Sequence, residues 1–138
     1  MLHSLKVFLF LPPLLLALDY VWIGIVASDL YKRELGPFLR MSGTALQPIL
    51  WAALVVYLAI PLGIVLFVLP KVSADNPISS ALLWGAVYGL VVYTIYDMTN
   101  YSLVNGWPLR VALIDILWGG LLSALGAAAA AWLDRWIE

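Results

Sequence analysis

Four apolar runs, each long enough to cross a bilayer, leave this chain few folds to choose from. The hydrocarbon core of a membrane is about 30 Å thick, which takes roughly 20 helical residues to span. The runs fall at about 5–27, 45–69, 78–104 and 109–133. Inside lipid every backbone N–H and C=O must find a partner within the protein, so each run is expected to be a helix. An even number of crossings brings both termini to one side. The composition agrees, because 64% apolar and 11% charged residues, with a mean hydropathy of +1.01, give too little polar surface to coat a soluble globule. The expected fold is all-α: a single integral membrane domain over 1–138, a four-transmembrane-helix bundle with a short interfacial helix between helices 1 and 2.

Local signals set the boundaries. Lys6 followed by an apolar stretch imitates a secretory signal, but no small-x-small cleavage site follows. The run continues through Asp19 and Trp22, and is therefore expected to be a retained span. Ser28 and Asp29 are candidate caps for a short helix that stops at Gly36-Pro37. Thr44 with Gln47 three residues on has the pattern of a capping box for the second span. Pro61 is expected to kink that span and Pro70 to close it. Asn76-Pro77 opens the third, Asn105-Gly106 ends it and Pro108 starts the fourth, so helices three and four are expected to be antiparallel neighbours. Gly85 and Gly89 on the third, and Gly119, Ser123 and Ala127 on the fourth, allow the close approach that holds helices together in lipid. Trp107, Trp132 and Trp136 fall near span ends and suit interfacial anchors, whereas Trp22, Tyr93 and Trp118 lie deeper. His3 is expected to be an exposed terminal residue.

The acids are the costly feature. Asp19, Asp97 and Asp115 each lie roughly 7 to 14 Å in from the same membrane face, counting about 1.5 Å per residue. Each costs roughly 2.5 to 3.5 kcal/mol near the middle of a membrane helix. They are therefore expected to face inward, where they pair with cations, accept hydrogen bonds from tyrosine, tryptophan and asparagine, or carry protons. Tyr93, Asp97 and Asn100 follow an i, i+4, i+7 stripe on one helix face. "LDYVWIG" (18–24) and "IDILWGG" (114–120) share a D-x-x-W-x-G pattern, which puts Asp19 with Trp22 and Asp115 with Trp118. Gln47 is expected at the same face, in the first turn of the second helix. Arg110 is the best internal counter-ion, with Lys32, Arg33 and Arg40 able to reach in from the first loop. These residues form the candidate binding pocket; the alternative is a stabilising cluster that fixes helix register.

Several classes drop out. A net charge of −1 with scattered basic residues gives no footprint for nucleic acid, and the absence of cysteine removes thiolate chemistry. No cofactor or metal site is implied. One reading of the pocket is a site that binds or translocates a small amphiphile, a lipid, or a proton or cation. A second is a small lipid-modifying enzyme, which the sequence supports with no D-x-x-D pair, histidine cluster, serine elbow or glycine-rich phosphate loop. A third is an assembly subunit of a membrane complex. The partners expected are membrane lipids and further copies of the chain or a larger complex.

"LDYVW" (18–22), "YKRELG" (31–36), "YDMTN" (96–100), "WPLR" (107–110) and "DILWGG" (115–120) resemble a family of small four-helix bacterial membrane proteins designated only as a domain of unknown function. The resemblance implies a multi-pass protein of the bacterial inner membrane. It also hints at lipids, since members are sometimes encoded beside fatty-acid-modifying enzymes. Lys32, Arg33, Arg40 and Arg110 on one face against Lys6, Lys71 and Arg135 on the other lean the first and third loops toward the cytoplasm and both termini outward.

Overall fold

The computed structural model describes residues 2–137 and, within them, the side chains of residues 4–136, so the expectation for His3 lies outside the described residues. The chain begins with α1 (Leu2–Val21), which passes into a π turn at Trp22–Val26. A short helix, α2 (Ser28–Leu35), follows, and then a small antiparallel hairpin of β1 (Met41–Ser42) and β2 (Ala45–Leu46). The second span is α3 (Leu50–Gly63), prolonged by a π turn at Ile64–Val68 and a tighter turn at Leu69–Lys71. The last two are α4 (Pro77–Leu103) and α5 (Leu109–Ile137). Four helices are long and apolar enough to cross a membrane: Ser4–Val26, Leu50–Lys71, Pro77–Leu103 and Leu109–Trp136.

α2 forms because its residues sort by face. Tyr31 and Leu35, one turn apart, are buried, while Asp29 in the first turn and Lys32 and Arg33 in the last complement the helix dipole. Its cap position is Ala27, whose carbonyl accepts from the Tyr31 N–H at 3.0 Å, and neither Ser28 nor Asp29 occupies it.

The second span starts later than 45, and the reason is local. Gly43 takes a φ of +60°, which only glycine adopts without strain, and so turns the chain into the hairpin. Thr44 therefore sits in the turn and caps nothing, which removes the expected Thr44–Gln47 capping box. Pro48 then biases Gln47 toward extended backbone, and the helix begins only after Ile49, which is extended at φ −72° and ψ 107°. Helix continues through Pro61, and the Ile64 N–H reaches back to the carbonyls of both Ile60 and Pro61 as the π turn begins.

α4 and α5 make the closest contact in the bundle. A Cβ added at Gly85 would lie 2.6 Å from the Ala127 Cβ, and one at Gly89 would lie 2.1 Å from the Gly119 carbonyl oxygen. The small residues of the two spans thus meet as a pair of matched faces, and van der Waals contact replaces the hydrophobic drive that lipid does not supply. Around this seam Val7, Leu11 and Leu15 of the first span pack with Ile60, Ile64 and Val68 of the second and with Leu122, Ala127, Ala130 and Ala131 of the fourth. This apolar core fills the end of the bundle where α1 begins. The other end, where α1 finishes, holds the acids.

If the seam carries the fold, Gly89→Ala should destabilise the protein by about 2 kcal/mol through overpacking. Gly24→Ala, whose nearest neighbour would be the Tyr20 ring at 3.5 Å, should change stability by less than about 0.5 kcal/mol. Thermal unfolding in detergent separates the two; equal melting temperatures would show that the seam can relax at no cost.

Candidate functional site

All four spans and α2 bring polar side chains to one place. Asp19, only 6% exposed near the end of α1, accepts two hydrogen bonds, from the Tyr57 hydroxyl at 2.9 Å and from the Trp118 indole N–H at 2.7 Å. Trp118 in turn stacks on Trp22, with ring centroids 4.7 Å apart and planes within 9° of parallel. The Trp22 indole N–H donates to the Tyr31 hydroxyl at 3.4 Å, and Tyr31 donates its own proton to Asp115 Oδ1. Asp115 closes the series against Asp97, their carboxyl groups within hydrogen-bonding reach of each other. A hydrogen bond between two carboxyls requires a proton on one of them, since ionised carboxylates only accept.

The two D-x-x-W segments explain the geometry. Spacing of three residues sets each aspartate and its tryptophan on one helix face. Because α1 and α5 run in opposite directions, the segments cross-pair: Trp118 reaches Asp19 directly, and Trp22 reaches Asp115 through Tyr31. The π turn that starts at Trp22 adds a residue to the helical turn there, with the Ala27 N–H bonded to the Trp22 carbonyl at 2.7 Å. It leads directly into α2, and so brings Tyr31 back toward α5.

Other candidate residues divide between the cluster and its surroundings. Tyr93 belongs to it: the ring lies over Gly119, where a Cβ would come within 2.1 Å of Cγ, and feels the charges of both Asp19 and Asp115. Asp97 is 1% exposed, and its Oδ2 has no hydrogen-bond partner. Asn100 turns away, its amide donating to the Tyr96 carbonyl of its own helix at 3.0 Å. Gln47 is exposed just past the end of the hairpin, its N–H bonded to the Arg40 carbonyl at 2.9 Å, because the second span begins beyond it. Arg110, in the first turn of α5, is exposed and pairs with none of the three aspartates among the described residues. A guanidinium at the membrane edge stays hydrated more cheaply than it enters the bundle. Arg33 pairs with Glu34 at 3.4 Å, and neither Lys32 nor Arg40 reaches the acids. Trp107 packs over the Ala27, Tyr31, Leu35 and Val111 cluster, and its indole N–H is buried without a partner.

A family model described as "Predicted membrane protein (DUF2177)" matches residues 4–132. The chain belongs to this family. All five segments that carry the resemblance fall inside the matched residues, together with every member of the aspartate cluster. No curated protein and no solved structure matches the chain.

Two members of the cluster, Tyr31 and Tyr57, are absent from the sequence-based candidates. Tyr57 is the hydroxyl-bearing side chain in an apolar run, "LWAALVVYLAIPLGIVLFVL" (50–69), and that isolation is the signal that marks it. Tyr31 is marked by its spacing of four from Leu35, the buried stripe of an otherwise charged helix.

Tyr31 also ties α2 to the spans. Burial, reinforced by the charge of Asp115 and the hydrogen bond given to it, pushes the Tyr31 phenol above the ordinary tyrosine range. Its neutral form makes the tie, so the stabilisation is fully present below about pH 10, the value for an unfolded tyrosine. It is lost as pH rises through the higher folded value. Hydrogen exchange of the α2 amides, corrected for intrinsic rate, should therefore stay slow to about pH 10 and quicken above it. Tyr31→Phe should quicken it about fivefold at neutral pH; unchanged exchange would mean that α2 is held by packing alone.

Proposed function

We propose that this membrane protein binds or translocates a small amphiphile, whose polar head is received by the aspartate cluster while its tail lies among the helices. The observation that carries this reading is the arrangement of Asp19, Asp97 and Asp115. Three carboxyls from three spans are gathered at one end of the bundle, no cation pairs with them among the described residues, and one oxygen of the most deeply buried acid is left without a partner. Intramembrane acids are expensive, and those retained inside a bundle mark proton, ion or ligand sites. Protons supply the balancing charge in this reading. Both oxygens of Asp19 and Oδ1 of Asp115 are turned toward phenol and indole donors, and although the three acids share one end of the bundle, among the described residues no three acidic or imidazole side chains come close enough together to hold one metal ion. That favours a binding or translocating site over a metal-assisted lipid-modifying enzyme.

The same reading puts the chain in the bacterial inner membrane, with the cluster in the cytoplasmic leaflet. It rests there on the excess of Lys32, Arg33, Arg40 and Arg110 over the basic residues at the opposite face. Membrane lipids are then the natural partners.

Native mass spectrometry of protein released gently from membranes tests the proposal. A lipid or other amphiphile should accompany the wild-type chain at close to one per binding site. Asp97→Asn combined with Asp115→Asn, which keeps the size of both groups, should lower that occupancy at least tenfold while the circular dichroism spectrum stays helical. Equal occupancy in a folded variant would reduce the cluster to a structural role.

A further inference from the structure

The two halves of the second span differ in how they are held. From Ile60 onward it is locked in place: Ile60, Pro61, Gly63, Ile64 and Val68 are buried, the Tyr88 hydroxyl donates to the Ile60 carbonyl at 3.4 Å, and the same ring fills the space a side chain at Gly63 would need. Before Ile60 no residue of α3 is buried, and Leu50, Trp51, Leu54, Val55 and Val56 are each at least 50% exposed. α3 as a whole packs on α1, while the contacts of the span with α4 and α5 come chiefly from the turns that follow it. The polar tie of this half is Tyr57, whose hydroxyl donates to Asp19 of α1.

The boundary between the halves is a weak point. Pro61 has no N–H, so the carbonyl four residues earlier, that of Tyr57 itself, loses its helical donor. Prolines and π turns are where membrane helices bend, and here one follows the other over 61–68. A half-helix with its apolar face in lipid, a hinge at its base and one polar tie near the hinge can swing without breaking a packed core.

The tie specifies what can replace it. Asp19 receives a neutral hydroxyl from Tyr57 and keeps an indole donor from Trp118 on its other oxygen. A group that displaces Tyr57 must donate a hydrogen bond to Asp19 Oδ2, which an anionic head that is fully ionised and has no hydroxyl cannot do. Resting on the reading of the cluster as an amphiphile site, we propose that the N-terminal half of α3 is a lateral gate latched by Tyr57 on Asp19, and that it admits from the bilayer an uncharged amphiphile whose head hydroxyl takes the place of the Tyr57 phenol.

The chain has no cysteine, so spin labels can be placed at will. Labels at Leu54→Cys on α3 and Leu117→Cys on α5, both exposed, read the gate in nanodiscs. Dioctanoylglycerol, dioctanoyl phosphatidate and tetradecylamine serve as neutral, anionic and cationic probes. Dioctanoylglycerol should bind and add a longer component to the distance distribution, and phosphatidate should do neither. Tyr57→Phe keeps the ring but removes the competing hydroxyl, so it should bind dioctanoylglycerol about fivefold tighter, the factor that goes with one hydrogen bond. Asp19→Asn should weaken that binding at least fivefold. A purely structural Tyr57 would lower the melting temperature on mutation and leave affinity unchanged, which would overturn the proposal. Tighter binding of tetradecylamine than of dioctanoylglycerol would overturn the hydroxyl assignment. If the gate result fails while lipid occupancy still depends on Asp97 and Asp115, the lateral route falls and the proposed function stands.

Discussion

A carboxyl group in hydrocarbon must be answered by donors or protons from the protein around it, and much of the polar end of this bundle follows from that demand. Asp19 draws Tyr57 inward from the second span and Trp118 from the fourth. Asp115 holds Tyr31, and with it the whole of α2, against the spans. Asp97 is answered by Asp115. Each of these bonds joins different elements, and three of them join elements not consecutive in the chain, so meeting the acids' requirements also fixes how the elements sit. A single hydrogen bond contributes only about 1 kcal/mol net, but leaving a buried acid unanswered costs considerably more, and this asymmetry makes the arrangement specific.

The opposite end is governed by shape instead. There the glycines of α4 meet the small residues of α5 backbone to backbone, and the first and second spans pack against that pair through Leu, Ile and Val. Close approach of α4 and α5 also serves the polar end, because the missing side chain at Gly119 leaves room for the Tyr93 ring between the acids. One seam therefore supports both the apolar core and the placement of a phenol within the cluster.

What could be read from the sequence follows the same division. Span number, the small-residue faces and the gathering of the three aspartates toward one end of the bundle were legible, because helical rise converts residue number directly into position along a helix. The cross-paired D-x-x-W segments were visible as a pattern, though not as a contact, since rotation about a helix axis depends on the π turn at Trp22, which no residue in "WIGIV" announces. Arg110 was misplaced because opposite charge suggested pairing, whereas its position in the first turn of α5 lets the guanidinium remain in water. Gln47 was misplaced because a capping pattern outweighed Gly43 and Pro48, two backbone signals that point to a turn and an extended residue. Tyr57 went unrecognised because its isolation in an apolar run marks a hydroxyl that needs an acceptor without saying which acid, 38 residues away, supplies it.

The stacked pair of Trp22 and Trp118 has a consequence for how charge can travel. A phenol or a carboxylic acid can accept a hydrogen ion on one side and release another, but an indole only gives its N–H in a hydrogen bond and has no lone pair with which to hand one on. Through these rings, therefore, no hydrogen ion is relayed between the Asp19–Tyr57 pair and the group of Tyr31, Asp115 and Asp97; what joins the two there is ring contact alone.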